Sequence, residues 1–212
     1  MLNAPAGWQN PTSAKGWVKI SYDRSLWIPC LPRFPEGYDR ESWAAGCAKL
    51  WWAASGLPHG EPDVAGLAAR LSAIHRATYG HIPCHLAFVH LPDPRLRPLP
   101  VYLGIWKPEH DKDAQLRVLT RADDARTARS PITDEFVTPD LGIGLRTLRH
   151  KQHDDGSLFA ALRYAWRSEE HETDLQLWAS SDDLGRLQRA IPDIDDFARA
   201  ITVIPRSQLR RA

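Results

Sequence analysis

The stretch HIPCHLAFVH, residues 81–90, puts three histidines and a cysteine into ten positions. Imidazole and thiolate are zinc ligands, and they are also the two halves of a cysteine–histidine hydrolase. Metal or nucleophilic chemistry would be sought here first. The spacing argues against a metal. Residues 84–91 read as an apolar strand, with Cys84, Leu86, Phe88 and His90 on one face and His85, Ala87, Val89 and Leu91 on the other. Cys84 and His90 then stand about 20 Å apart at roughly 3.3 Å per residue. His81, Cys84 and His85 could converge only in a tight turn, and a structural zinc still wants a fourth ligand. Cys47 falls on the apolar stripe in the middle of a helix, whereas a reactive thiolate is favoured at a helix N-terminus. A hydrolase would therefore need Cys47 or Cys84 to meet His75, His81, His85 or His90 in space.

Other catalytic signatures are missing from the sequence. It contains no G-x-S-x-G elbow, no phosphate-cradling glycine loop and no G-x-G-x-x-G. The GIG at 142–144 opens a strand rather than a helix. Paired acids occur at Asp154–Asp155, Glu169–Glu170, Asp182–Asp183 and Asp195–Asp196. Each is read in a turn or at a helix start, where turn chemistry and the helix dipole account for it. The sequence thus nominates no catalytic residue, no metal ligand and no cofactor.

A binding surface can be read from strand alternation. On 157–167, Leu158, Ala160, Leu162, Tyr164 and Trp166 oppose Phe159, Ala161, Arg163, Ala165 and Arg167. On 173–180, Leu175, Leu177 and Ala179 oppose Gln176, Trp178 and Ser180. On 99–106, Leu99, Val101, Leu103 and Ile105 oppose Tyr102, Gly104 and Trp106. If the polar-aromatic faces align, Tyr102, Trp106, Arg163, Arg167 and Trp178 form one mixed surface of the residue types enriched at interface hot spots. The alternative is a helix laid over this face, with the arginine stems running out past it.

The elements that position these residues follow from periodicity and punctuation. Residues 1–38 read as an irregular arm, with Trp8 docked and short strands at 17–22 and 25–29. Residues 39–203 read as a single α+β domain, and 204–212 as a basic tail. Asp39 is the expected N-cap of a first helix whose stripe is Trp43, Cys47, Leu50, Trp51 and Ala54, ended by Gly56 and Pro58. A second helix runs from 62 to 76 with Val64, Leu67, Ala68, Leu71 and Ile74 inward and Gly80 as its stop. A polar helix follows at 110–122. Strands at 132–137, 143–151, 157–167 and 173–180, separated by the turns HDDG and SEEHET, predict an antiparallel meander. One short helix and a last helix at 192–203, striped by Ile194, Phe197, Ala198 and Ile201, close the chain.

Bulk properties set the frame. The chain of 212 residues can bury roughly 70% of its unfolded surface. Nine tryptophans point to a Trp-rich core. A formal charge of +1, from 27 basic and 26 acidic side chains, provides no broad field for phosphates, which argues against nucleic acid. Three cysteines without framework spacing do not read as a disulfide scaffold. The start MLNAPAGWQNPTSAKG has neither a basic n-region nor an apolar h-region, and no run of about 18 apolar residues exists. The expectation is a cytoplasmic protein with no membrane partner. Arginine-rich, lysine- and asparagine-poor usage resembles that of GC-rich actinobacterial proteins.

The meander, the short acidic helix and the closing IDDFARAI, over roughly 132–203, resemble the PsbP-like α/β/α sandwich family. The resemblance implies a mainly antiparallel sheet covered by helices, and a binding or accessory role toward a protein or small ligand. The functional expectation is a non-catalytic adaptor, chaperone-like or regulatory protein that binds another protein or itself. The Cys–His hydrolase and a small-ligand-binding module stand as alternatives.

Overall fold

The structure, a computed structural model, describes residues 13–14, 17–125, 127–152 and 155–209. Trp8, Asp154 and the last three residues of the basic tail lie outside the described residues. In chain order the elements are β1 (Ser13–Ala14), β2 (Val18–Ile20), β3 (Trp27–Cys30), α1 (Arg40–Ser55), α2 (Glu61–His81), β4 (Leu86–His90), β5 (Leu99–Trp106), α3 (Lys112–Thr120), β6 (Ile132–Thr138), β7 (Gly142–Gln152), β8 (Leu158–Ser168), β9 (Thr173–Ser181), α4 (Leu184–Arg199), β10 (Ile201–Val203) and α5 (Arg206–Leu209). The fold is α+β and its strand pairs are antiparallel. The chain divides into two compact units, one of residues 23–100 and one of 13–22 with 101–209.

In the first unit β3 pairs with β4, Trp27 opposite His90 and Cys30 opposite Ala87. Asp39 caps α1 as expected, accepting from the Ser42 amide at 2.7 Å. The buried stripe of α1 is Trp43, Ala44, Cys47, Ala48 and Trp52. It is rotated from the expected one, because small alanines let the helix approach its neighbour along that line. Trp51 stands half out and donates its indole N–H to the Leu91 carbonyl at 2.6 Å. Helix α2 runs past Gly80 to His81, five residues beyond the expected end, and buries Leu67, Leu71, His75 and Thr78. Helices α1 and α2 pack on each other.

In the second unit the strands lie in the order β5-β9-β8-β7-β6, so the meander is as read, each strand within a residue of its expected bounds. Helix α3 packs on β7, β8 and β9. Helix α4 contacts β9, β8 and β6 from the opposite face, giving an α/β/α layering. Under α4 the sheet presents Leu162, Tyr164, Trp166, Leu175 and Leu177, all buried, and Phe136 packs edge-on to Tyr164 and Trp166. The expected helix at 192–203 is corrected in two ways. Pro192 lies inside a continuous α4, because proline removes one amide but does not forbid the turn when packing holds both sides. Ile201 belongs to β10, where it pairs with Ile20 of β2.

Candidate functional site

The five residues nominated from the sequence fall on one face of the second unit's sheet. Tyr102 stands opposite Trp178, and Trp178 opposite Arg163; Trp106 stands opposite Asp174, and Asp174 opposite Arg167. The tyrosine and indole rings of Tyr102 and Trp178 lie 5.5 Å apart at 36°. The Trp106 indole folds back over its own strand, and a Cβ on Gly104 would stand only 2.7 Å from its ring nitrogen. Glycine at 104 is what lets that ring lie flat.

Helix α3 lies along this face, and two of the arginines reach it. Asp111 caps α3 by accepting from the Ala114 amide at 3.0 Å, and Leu116 is driven into the sheet by the hydrophobic effect. Arg167 makes a forked ion pair with fully buried Asp174, at 2.8 and 3.1 Å, and donates to the His110 carbonyl ahead of the helix. Gln176 donates to the Leu119 carbonyl at 2.5 Å, and Arg163 approaches the same oxygen at 3.5 Å. These donors compensate the negative C-terminal end of the helix.

The α3 end is closed by Arg121 in a left-handed conformation, φ 55°. The chain then returns over the sheet, where Asp124 pairs with buried Arg149 of β7 and Asp123 pairs with Arg117. A shallow surface depression here is lined by Ala114, Arg117, Val118, Arg121, Asp123 and Asp124. Burial, with Arg121 and Arg149 nearby, pushes the Arg163 guanidinium down to about 10. Arg121 and Arg149 were not singled out from the sequence. Arg149 was findable, since it sits two residues from Thr147, the cross-strand partner of Arg163. Arg121 had no local signal, because its place depends on how α3 docks.

The same face becomes apolar and open at its β6 margin. Val137 and Ile143 are opposite each other on β6 and β7, 60% and 55% exposed. On α3, Val118 is 58% exposed.

The thiols lie in the first unit. Cys30 and Cys47 are buried and Cys84 is half-buried. Burial pushes the Cys30 thiol well up, Cys47 to about 12 and Cys84 to about 11. A buried thiol held protonated is a poor nucleophile. His75 gives its Nε2 to the Leu31 carbonyl at 2.8 Å and is packed among Phe34, Trp43 and Tyr79. Among the described residues no three His, Cys, Asp or Glu side chains are grouped to hold a metal ion. His81 ends α2 exposed, while Cys84 follows Pro83 before β4 begins. At pH 8 a disulfide-exchange reagent is expected to label Cys84 slowly and Cys30 and Cys47 hardly at all, with all three reacting in denaturant. Rapid labelling of two thiols in the native protein would contradict this burial.

No protein-family model matches the chain. No curated protein matches it. Among solved structures it is similar to one described as the crystal structure of LpqN, involved in cell envelope biogenesis of Mycobacterium tuberculosis. The two chains are 10% identical, with a TM-score of 0.47 over 89% of this chain and 83% of that one. No helix among the described residues is long and apolar enough to cross a membrane.

Proposed function

We propose that the chain is a non-catalytic binding module that engages another protein through the sheet face carrying Tyr102, Trp106, Arg163, Arg167 and Trp178, at its open margin on β6. The observation that carries this reading is the exposed cross-strand pair Val137–Ile143 beside the last strand of the sheet. Strand β6 has β7 on one side and no further strand among the described residues on the other. Ile132, on the opposite face of β6, is also exposed. An extended segment added to β6 would satisfy its outer backbone groups and cover apolar side chains on both faces. Glu135 is exposed between them, and Asp134, itself paired with Arg146, stands beside it. A second copy of β6 would set like charges against each other in several registers. The occupant that fits is a segment of a different protein alternating apolar residues with lysine or arginine. Buried, protonated thiols suit a reducing setting, and the reading takes the cytoplasm as its compartment.

The test is a photo-crosslinking amino acid placed at 132 and, separately, at 137 in the cell of origin. Both positions are expected to mark one extended basic segment of a single partner. A synthetic peptide of that segment should bind the purified protein and lose about tenfold in affinity on Val137→Asp, the size of one hot-spot contact. Crosslinks only to further copies of the chain, or scattered over unrelated proteins, would sink the reading.

A further inference from the structure

We propose that Arg121, Arg149 and Arg163 form a binding site for a small oxyanion, a phosphate or carboxylate group, at the C-terminal end of α3. The inference does not depend on the β6 margin or on any protein partner. Thr147 stands opposite Arg163, so Arg149, two residues on, is its diagonal neighbour on the same face. Diagonal positions on adjacent strands are within reach of long side chains. The contact of Arg163 with the Leu119 carbonyl places its guanidinium two residues from Arg121. The pairing of Arg149 with Asp124 brings the chain that follows Arg121 over the same two strands. Arg149 and Arg163 are thus neighbours on β7 and β8, and Arg121, at the α3 cap, is close enough for its charge to act on both.

Their donors exceed the acceptors present. Four arginines, Arg117, Arg121, Arg149 and Arg163, face two carboxylates, and those are taken by Arg117 and Arg149. Neither Arg121 nor Arg163 is paired with a carboxylate among the described residues. The Leu119 oxygen that Arg163 approaches already accepts the shorter bond from Gln176. The Nε atoms of both Arg149 and Arg163 are buried without an acceptor. The Arg149 side chain is only 2% exposed. Buried cations are ordinarily matched by an acceptor of opposite charge, and planar guanidinium forks match phosphate and carboxylate oxygens two at a time. Arg121 also lines the surface depression at the end of α3, together with Ala114, Arg117, Val118, Asp123 and Asp124, and it is the member of the three that a small anion meets from that side.

The experiment is thermal unfolding of the full chain in inorganic phosphate, in malonate and in sodium chloride at matched ionic strength. Phosphate or malonate at millimolar concentration is expected to raise the melting temperature by about 3 °C over chloride. A larger shift with phosphate assigns a phosphate ligand, and a larger shift with malonate a carboxylate. Arg121→Asn keeps a residue that tolerates the left-handed cap. It should melt like the wild type in chloride and lose the anion-specific shift. Arg163→Met should lose it as well; should that variant not fold, Arg121→Asn decides alone. Equal melting temperatures in all three salts, or an anion-specific shift retained in Arg121→Asn, would overturn the site.

Discussion

Gly144→Ala is expected to destabilise the second unit by on the order of 3 kcal/mol, a fall of roughly 10 °C in its melting temperature. A Cβ at 144 would stand 2.3 Å from the Ala165 carbonyl oxygen and 2.3 Å from Cδ1 of Trp166. The oxygen belongs to the backbone of β8, so it cannot move without breaking the β7–β8 ladder. The indole is fully buried, stacked on Tyr164 at 5.8 Å and edged by Phe136 at 6.0 Å, so it has nowhere to rotate. The bare backbone at 144 is the space the Trp166 ring occupies. Trp166→Phe in the alanine background should recover only part of the loss, because the carbonyl clash remains. Gly80→Ala is the control. That position has no atom within 4 Å of an added Cβ and lies in the last turn of α2, so alanine there should be neutral or stabilising by about 0.5 kcal/mol. Thermal melts of the three variants read this directly, and a Gly144→Ala protein melting within 2 or 3 °C of wild type, less than about 1 kcal/mol, would contradict it.

How much of this fold was legible depended on how local its signals were. The meander β6–β9 was readable because strands with one face under a helix alternate at period two, and because turns rich in Asp, Glu and Gly separate them. The same alternation placed Tyr102, Trp178 and Arg163 in one cross-strand row without any tertiary information. Ile201 fails for the opposite reason. Its helical spacing from Ile194, Phe197 and Ala198 is real, but its partner is Ile20, some 180 positions away in the chain, and no local pattern announces that. In α1 the error is of kind rather than distance. Ala44 and Ala48 are small enough to look neutral, yet small side chains are what a close helix contact needs, so the stripe turned toward Trp52 rather than Trp51.

The candidate site divides along the same line. The row of Trp106, Asp174 and Arg167 follows from register, and it accounts for Arg167 as the partner of a buried aspartate. The relation of Arg163 to Leu119 and Arg121 follows from the docking of α3, a nine-residue helix whose polar sequence hides how deeply Leu116, Gln115 and Thr120 are buried. The exposed pair Val137–Ile143 was visible as apolar residues in strands. Nothing in the sequence distinguished them from Phe136, one position away and buried, until the faces were assigned.

Asp195 shows what the correction to α4 implies for stability. Read at a helix start it would serve only the dipole. In the fourth turn of α4 it faces the sheet, accepts the Tyr164 hydroxyl at 2.5 Å on one oxygen and Arg146 at 2.8 Å on the other. Asp195→Ala is expected to cost about 3 kcal/mol, because it leaves a fully buried phenol without its acceptor and Arg146 with Asp134 alone. Tyr164→Phe removes donor and dipole together and should cost only about 1 kcal/mol. The double variant should therefore be more stable than Asp195→Ala alone, a sign that simple additivity does not give. Burial and the Asp195 carboxylate hold Tyr164 well above the usual phenol range. The folded state thus keeps a proton that the unfolded chain releases near pH 10, and this contribution is complete below that pH and lost as pH rises beyond it. Urea titrations of wild type and Tyr164→Phe between pH 8 and 11 should converge toward the alkaline end. If the difference between them stays constant across that range, Tyr164 is not the proton-retaining group and the buried pairing with Asp195 is wrong.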